Sequence, residues 1–355
     1  MLFLCLVFFS LSSSRSPADV VVSDTSGKRL EFVGRFDWKK GTCENDQNVL
    51  HLDGEELFQP IDGFGGSFLR SGALALSLLK QEQQDAVLKS LFETAGFSVG
   101  KVPIGACDYC VLSFENTTTW WGYRENQSLP FDLGPDLESP GGTIPYILRA
   151  RRYMEEELLL QSTMDYPPSW MLSGQYPNAT VNPKFYPDLA KYFLDYTMEF
   201  RKRTGFSIKY LSLFNEPSDS YTFISTEEIA NLLVNHVGPL FRASNSLTGL
   251  TYASQADRVT THERTPKALK IPGVLNYTDV LFYHGYDCNP WICTGFNSTC
   301  PELAEAELLI EELHRAYPDT PLWMSEVCYA EEYGSYQPPC PNLPFSAFEE
   351  YVFLF

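Results

Sequence analysis

Two glutamates, Glu216 and Glu326, each stand at the end of a short apolar run, 110 positions apart. The first run reaches from Phe206 to Pro217, and its residues 208–214 are β-branched, aromatic or aliphatic with little polarity. That pattern reads as a strand buried on both faces. Pro217 ends it, because proline cannot donate to a ladder. The second run, Pro321–Val327, delivers Glu326 in the same way. In barrel and open α/β enzymes the C-terminal edge of a parallel strand is where chemistry happens. One strand-end glutamate is often only a salt-bridge partner. Two are what acid/base and nucleophilic work on a glycosidic bond requires, one carboxylate attacking while the other carries a proton, about 5 Å apart. No metal or nucleotide cofactor is called for.

The elements that must position this pair alternate between strand and helix. Ile61–Ser67 is a glycine-rich first strand, whose glycines suit a sharp bend or a close ligand; it lacks the Gly-x-Gly-x-x-Gly spacing of a dinucleotide site. Periodicity then predicts one helix over Ala73–Phe92 with Gly96 as C-cap, and a strand over Val99–Ile104. Residues 113–142 form a long loop with Trp120 and Trp121, which serve a cleft entrance or loop packing equally well. A helix at Ile144–Glu155 and a strand opening at Glu157–Gln161 follow. Next come an amphipathic helix over Phe185–Arg203 closed by Gly205, the central strand, and a helix over Thr226–Phe241 opened by Thr226. Strands at Leu250–Ala253 and Val280–Tyr283, a helix over Pro301–Tyr317 and the Glu326 strand complete seven βα steps. This alternation gives a parallel sheet with right-handed crossovers, an α/β chain of (β/α)8 TIM-barrel type whose eighth strand is missing. Only 29 residues follow Glu326, and residues 337–355 are a Pro-rich, aromatic tail, so the sequence reads as truncated. The catalytic barrel spans 61–336, and residues 19–60 read as antiparallel strands of an accessory domain at Val20–Val22, Leu30–Val33 and Val49–Leu52.

Composition narrows the class. A net charge of −19 excludes a nucleic-acid footprint and argues against electrostatic docking on anionic lipid. Residues 1–18 carry an apolar run too short to span a bilayer and read as a signal peptide. Removing it takes Cys5 and leaves an even set of cysteines, which fits an oxidising compartment. Cys107 and Cys110 favour a disulfide or a buried thiol over a redox or zinc pair, since one CxxC is a weak signal. Asn-x-Ser/Thr sequons at Asn116, Asn126, Asn178, Asn276 and Asn297 support a secretory glycoprotein, lysosomal or extracellular.

Taken together, Ile61-Asp-Gly-Phe-Gly-Gly-Ser67, Val102-Pro-Ile-Gly-Ala-Cys-Asp108, Pro167-Pro-Ser-Trp170, Phe214-Asn-Glu-Pro217, His284-Gly-Tyr286 and Ser325-Glu-Val-Cys328 resemble glycoside hydrolase family 30, most closely its glucosylceramidase branch. The Asn-Glu-Pro signature is shared by many barrel glycosidases; the glycine stretch and Ser-Glu-x-Cys narrow it to the family. The resemblance implies a retaining β-glycosidase with Glu216 as acid/base and Glu326 as nucleophile. It also implies that Asn215 binds the sugar 2-hydroxyl, Asp108 holds hydroxyls farther round the ring, and His284 with Tyr286 lines the sugar subsite. The family's barrel is accompanied by a β-sandwich built from early strands plus a C-terminal segment absent here. Departures lie near Asp165-Tyr166, where an aromatic is replaced, and at Gly285, which stands where an aromatic is expected. The substrate implied is a glycolipid, glucosylceramide above all, or a β-glucan, and contact with lipid or an activator protein goes with the glycolipid. The alternatives are a family 30 endo-β-1,6-glycanase and a catalytically silent secreted glycan- or lipid-binding relative.

Overall fold

The computed structural model describes residues 4–6, 17–23, 31–37, 59–107, 121–138, 140–155, 157–174, 179–217, 222–286, 301–327 and 353–354. The chain divides into two compact units between residues 60 and 61. In the first, Ala18–Ser23 and Glu31–Phe36 pair antiparallel, and Leu4–Leu6 pairs antiparallel with the former. Ala18–Ser23 covers the stretch expected at 20–22 and Glu31–Phe36 covers 31–33 of the next; Leu30 and the stretch expected at 49–52 lie outside the described residues.

Among the described residues the second unit has seven main parallel strands: β1 (Phe64–Ser67), β2 (Val99–Pro103), β3 (Leu159–Thr163), β4 (Ile208–Ser212), β5 (Gly249–Thr251), β6 (Leu281–His284) and β7 (Leu322–Glu326). Each crossover carries helix: α1 (Arg70–Ser77), α2 (Gln81–Lys89), α3 (Thr143–Ala150), α4 (Tyr186–Thr204), α5 (Thr226–Leu232), α6 (Gly238–Ala243), α7 (Arg258–Leu269) and α8 (Pro301–Ala316). Pairing runs β1 to β5 in chain order, without the reversal that a doubly wound sheet requires. After β5 the chain kinks, and Ser254–Gln255 pairs with β6, which pairs with β7. A bridge between Asn215 and Ser254 joins the two runs of strands. Phe353–Leu354 lies antiparallel against β1; among the described residues no parallel strand follows β7.

The interior has two levels. Near the strand starts, Val99, Val280, Phe282 and Trp323 pack with Leu159 and Tyr210, drawing together β2, β3, β4, β6 and β7. Trp323 stacks on Phe282 and meets Tyr210 edge-on at 4.9 Å, and its indole N–H donates to Asp62 at 2.9 Å. That bond ties β7 to the residues just before β1, where no ladder joins them. Gly65 is required here for a different reason from the expected bend or ligand: any Cβ would collide with the Val99 carbonyl of β2.

Several elements depart from the periodicity. The helix expected over Ala73–Phe92 is broken into α1 and α2, because Leu78 and Leu79 tighten onto the carbonyls of Ala75 and Leu76. The Gln83 side chain then accepts from the Lys80 N–H and restarts the helix, leaving Leu78 88 % exposed rather than on a buried stripe. The helix over Thr226–Phe241 loosens into a wider turn at Leu233–Val237, ahead of Pro239, which has no N–H to continue the ladder. Its cap is Ser225, not Thr226: the Ser225 hydroxyl accepts from the Glu228 N–H while the Glu228 carboxylate accepts from the Ser225 N–H. α4 matches its expectation closely, ending at Gly205 in the left-handed region with φ 79°.

The loop leading into α3 buries one acid. Asp136 accepts from the Tyr123 hydroxyl within a stack of Tyr123, Tyr192 and Tyr196. Burial pushes its carboxyl up to about 6, against the opposing pull of the Tyr123 hydroxyl and the Arg70 charge. The folded state therefore favours the neutral acid, whereas the unfolded chain ionises near 3.8. This contribution is fully present below the unfolded value and is lost as pH rises through the folded one, up to about 3 kcal/mol. Chemical denaturation from pH 4 to 7 should show wild type losing roughly that much stability relative to Asp136→Asn, which keeps the shape without the titration.

Candidate active site

The C-terminal end of β4 carries Asn215 and Glu216. The Asn215 N–H donates to the Met164 carbonyl beyond β3 at 2.9 Å, and the Glu216 N–H donates to the Ser254 carbonyl at 2.8 Å. Those two bonds hold the chain as it leaves the ladder. Glu216 sits at φ 44°, a left-handed conformation that a residue with a Cβ adopts only under constraint. The turn swings its carboxylate onto His284 at the end of β6, with Glu216 Oε1 2.6 Å from His284 Nδ1.

Glu326, at the end of β7, meets the same histidine from the other side: His284 Nε2 is 3.8 Å from Glu326 Oε2. One carboxylate oxygen of Glu216, one ring nitrogen of His284 and one carboxylate oxygen of Glu326 all lie within 4.8 Å of one another. The His284 side chain is fully buried, whereas Glu216 and Glu326 keep 19 % and 18 % of theirs exposed, so the pair opens toward solvent above a sealed imidazole. Tyr286 donates its hydroxyl to Glu326 Oε1 at 2.9 Å. Gly285 is glycine because Met324 and Val327 of the neighbouring strand fill the space a Cβ would need.

Sequence reasoning passed over one member of this group. Lys101, the third residue of β2, buries its ammonium against Glu326 Oε2 and donates to Asn215 Oδ1 at 3.2 Å. The signal was there: a lysine inside an apolar strand buried on both faces needs a partner. Burial pushes the Glu326 carboxyl up, yet the Lys101 charge, the His284 ring and the hydrogen bonds from Lys101 and Tyr286 outweigh it and hold it at about 2. Glu326 is thus an ionised carboxylate across the ordinary pH range. Glu216, His284 and Glu326 have the donor types for a divalent cation, but the Lys101 ammonium already sits on the Glu326 carboxylate and would compete with one.

Of the expected site residues, Asn215, Glu216, His284, Tyr286 and Glu326 are brought together, and Asp108 lies outside the described residues. Asp165 and Tyr166, where an aromatic was expected, are both buried beyond the end of β3. Trp121, half-buried, packs on Leu69 and Cys107 just past the ends of β1 and β2, and Trp120 lies outside the described residues. Cys107 is itself buried in a disulfide. Trp170 donates its indole N–H to the Arg124 carbonyl at 2.9 Å and so anchors the loop that carries Arg124. The sequon asparagines Asn126 and Asn276 are exposed; Asn116, Asn178 and Asn297 lie outside the described residues.

Comparison with known proteins bears on the family and the fold. Residues 61–251, more than half the chain, match the glycosyl hydrolase family 30 TIM-barrel domain. The chain is 24 % identical over 303 residues to the lysosomal acid glucosylceramidase of Mus musculus, covering 80 % of this chain and 55 % of that protein. It is 25 % identical over 199 residues to the endo-1,6-beta-D-glucanase of Neurospora crassa, covering 52 % of this chain and 40 % of that one. The chain thus spans about half the length of these relatives. Among solved structures, SrfJ from Salmonella typhimurium shares the fold with a TM-score of 0.70 at 20 % identity, over 89 % of this chain and 67 % of that one.

Replacing Lys101 by Met removes the cation but leaves Glu326 buried. The Glu326 carboxyl should then titrate above its present value of about 2, since burial loses its main opponent while His284 and Tyr286 still oppose it. Carbon-13 NMR of glutamate-labelled protein checks this; an unmoved Glu326 resonance would remove Lys101 from the account.

Proposed function

The chain belongs to glycosyl hydrolase family 30, and from that premise we propose that it is a retaining β-glycosidase acting on a β-glucoside, with glucosylceramide as substrate. The observation that carries the reading is the spacing of the two carboxylates, with oxygens within 4.8 Å of each other. Retaining enzymes place their carboxyl groups roughly 5–5.5 Å apart, and inverting enzymes leave ~6.5–9.5 Å for a water. Glu326, held ionised by Lys101 and Tyr286, attacks the anomeric carbon while Glu216 passes its proton to the departing glycosidic oxygen. The glycosyl ester on Glu326 is then opened by water, whose proton returns to Glu216. His284 bridges the pair and orients Glu216, and with Tyr286 it lines the sugar subsite. Asn215, oriented by Lys101, takes the 2-hydroxyl, and Asp108 holds hydroxyls farther round the ring.

The glycolipid substrate rests on the likeness to the mouse glucosylceramidase, and lipid or activator contact would accompany it. The likeness to the Neurospora glucanase supports a second reading, cleavage within a β-1,6-glucan. Passage through the secretory pathway fits the apolar leader and the exposed sequons at Asn126 and Asn276.

Full-length protein should release glucose from glucosylceramide and from a chromogenic β-glucoside. Glu216→Gln should lose on the order of 10²–10⁴-fold in turnover of substrates with poor leaving groups, and Glu326→Gln at least as much. Faster attack on β-1,6-glucan than on either glucoside would move the assignment to the second reading. Wild type as inert as Glu326→Gln on every substrate would leave only a binding role.

A further inference from the structure

β7 reaches β6 with one residue too many. Tyr283 pairs with Met324 and His284 pairs with Glu326, so Ser325 has no opposite number. Side chains alternate along a regular strand. Trp323 faces the lumen against Phe282 and Tyr210, and Met324 faces outward, its sulfur 4.0 Å from Arg258 on α7. Unbroken alternation would turn Ser325 inward and Glu326 outward, away from everything the site contains. The extra residue resets the alternation, which is how Glu326 comes to meet Lys101 and Tyr286.

A bulged residue leaves its backbone groups outside the ladder. The Ser325 hydroxyl donates to the Tyr283 carbonyl at 3.3 Å and ties the bulge sideways to β6. The Ser325 carbonyl is met from elsewhere: Gln161 Nε2 donates to it at 2.8 Å. Gln161 is fully buried on β3, which does not neighbour β7, so this bond crosses the lumen. Gln161 is paired in register with Lys101, so both side chains point to the same face of the sheet. Gln161 Oε1 makes no hydrogen bond among the described residues. Packing alone would be better served by leucine, which buries no unpaired oxygen.

We propose that Gln161 is a positioning residue that pins the Ser325 bulge and thereby aims Glu326 into the site. Its kinetic consequence rests on Glu326 being the nucleophile; its structural consequence does not. Gln161→Leu removes the donor at nearly constant volume. Gln161→Glu restores a donor only while the carboxylic acid is protonated.

The test measures the rate at which an activated 2-deoxy-2-fluoro-β-glucoside esterifies Glu326, located by peptide mass mapping, across a pH range, together with a crystal structure of Gln161→Leu. Labelling of Gln161→Leu should slow on the order of 10- to 100-fold, as expected for a displaced reacting group. Gln161→Glu should label near the wild-type rate at low pH and slow as its carboxyl ionises, a pH dependence that a packing role would not produce. The crystal structure should show Glu326 withdrawn from Lys101. Wild-type labelling rates in both variants at every pH, or a Gln161→Leu structure with Glu326 still seated on Lys101, would overturn the proposal. If wild type is esterified at a residue other than Glu326, the nucleophile assignment fails and the crystal structure alone decides the role of Gln161. If Gln161→Leu does not fold, the pH profile of Gln161→Glu decides it.

Discussion

A buried ion pair governs this site. Lys101 and Glu326 face each other in the lumen, where burial by itself would drive the carboxyl to its neutral form. The ammonium reverses that outcome, and it also makes possible the approach of two carboxylates within 4.8 Å, which bare like charges would resist. Lys101 shares itself with Asn215, so strands β2, β4 and β7 are tied at one point, and His284 adds β6. Removing one partner of such a pair costs on the order of 3–5 kcal/mol, because it strands the other charge. Geometry and protonation at the site therefore depend on the same contact.

Below that contact the barrel interior is apolar and aromatic. Trp323, Phe282 and Tyr210 fill the lumen near the strand starts, and Asp62 links the first and seventh strands through the Trp323 indole. Above it the inward side chains turn polar. This division matches the general logic of the architecture, in which the strand starts carry stability and the strand ends carry chemistry. One residue of β7 serves each level: Trp323 below and Glu326 above.

Much of this was legible in local pattern. Runs of apolar residues bounded by Gly and Pro mark the central strands, and the stripe on α4 with Gly205 behind it marks a helix and its end. Periodicity failed where a stretch could satisfy two patterns. Leu78 and Leu79 extend the apolar spacing of α1, yet the Gln83 side chain accepts from the Lys80 N–H and starts a new helix there. Thr226 looked like a cap because acids follow it, but only Ser225 stands at the right distance from Glu228 for the exchange of bonds. Both are competitions between local signals that the surrounding packing decides.

What the sequence determined by itself is the kind and order of elements and the residue types at their ends: glutamates after β4 and in β7, a histidine closing β6, a lysine out of place in β2. Those follow from propensity and periodicity, which act over a few residues. The direction in which Glu326 points was not contained there, since strict alternation turns it out of the barrel. Only the tertiary structure decided that. A bulge is a mismatch between two strands, and the groups that accommodate it, Gln161 across the lumen and Lys101 beside it, lie at least 160 positions away in the chain.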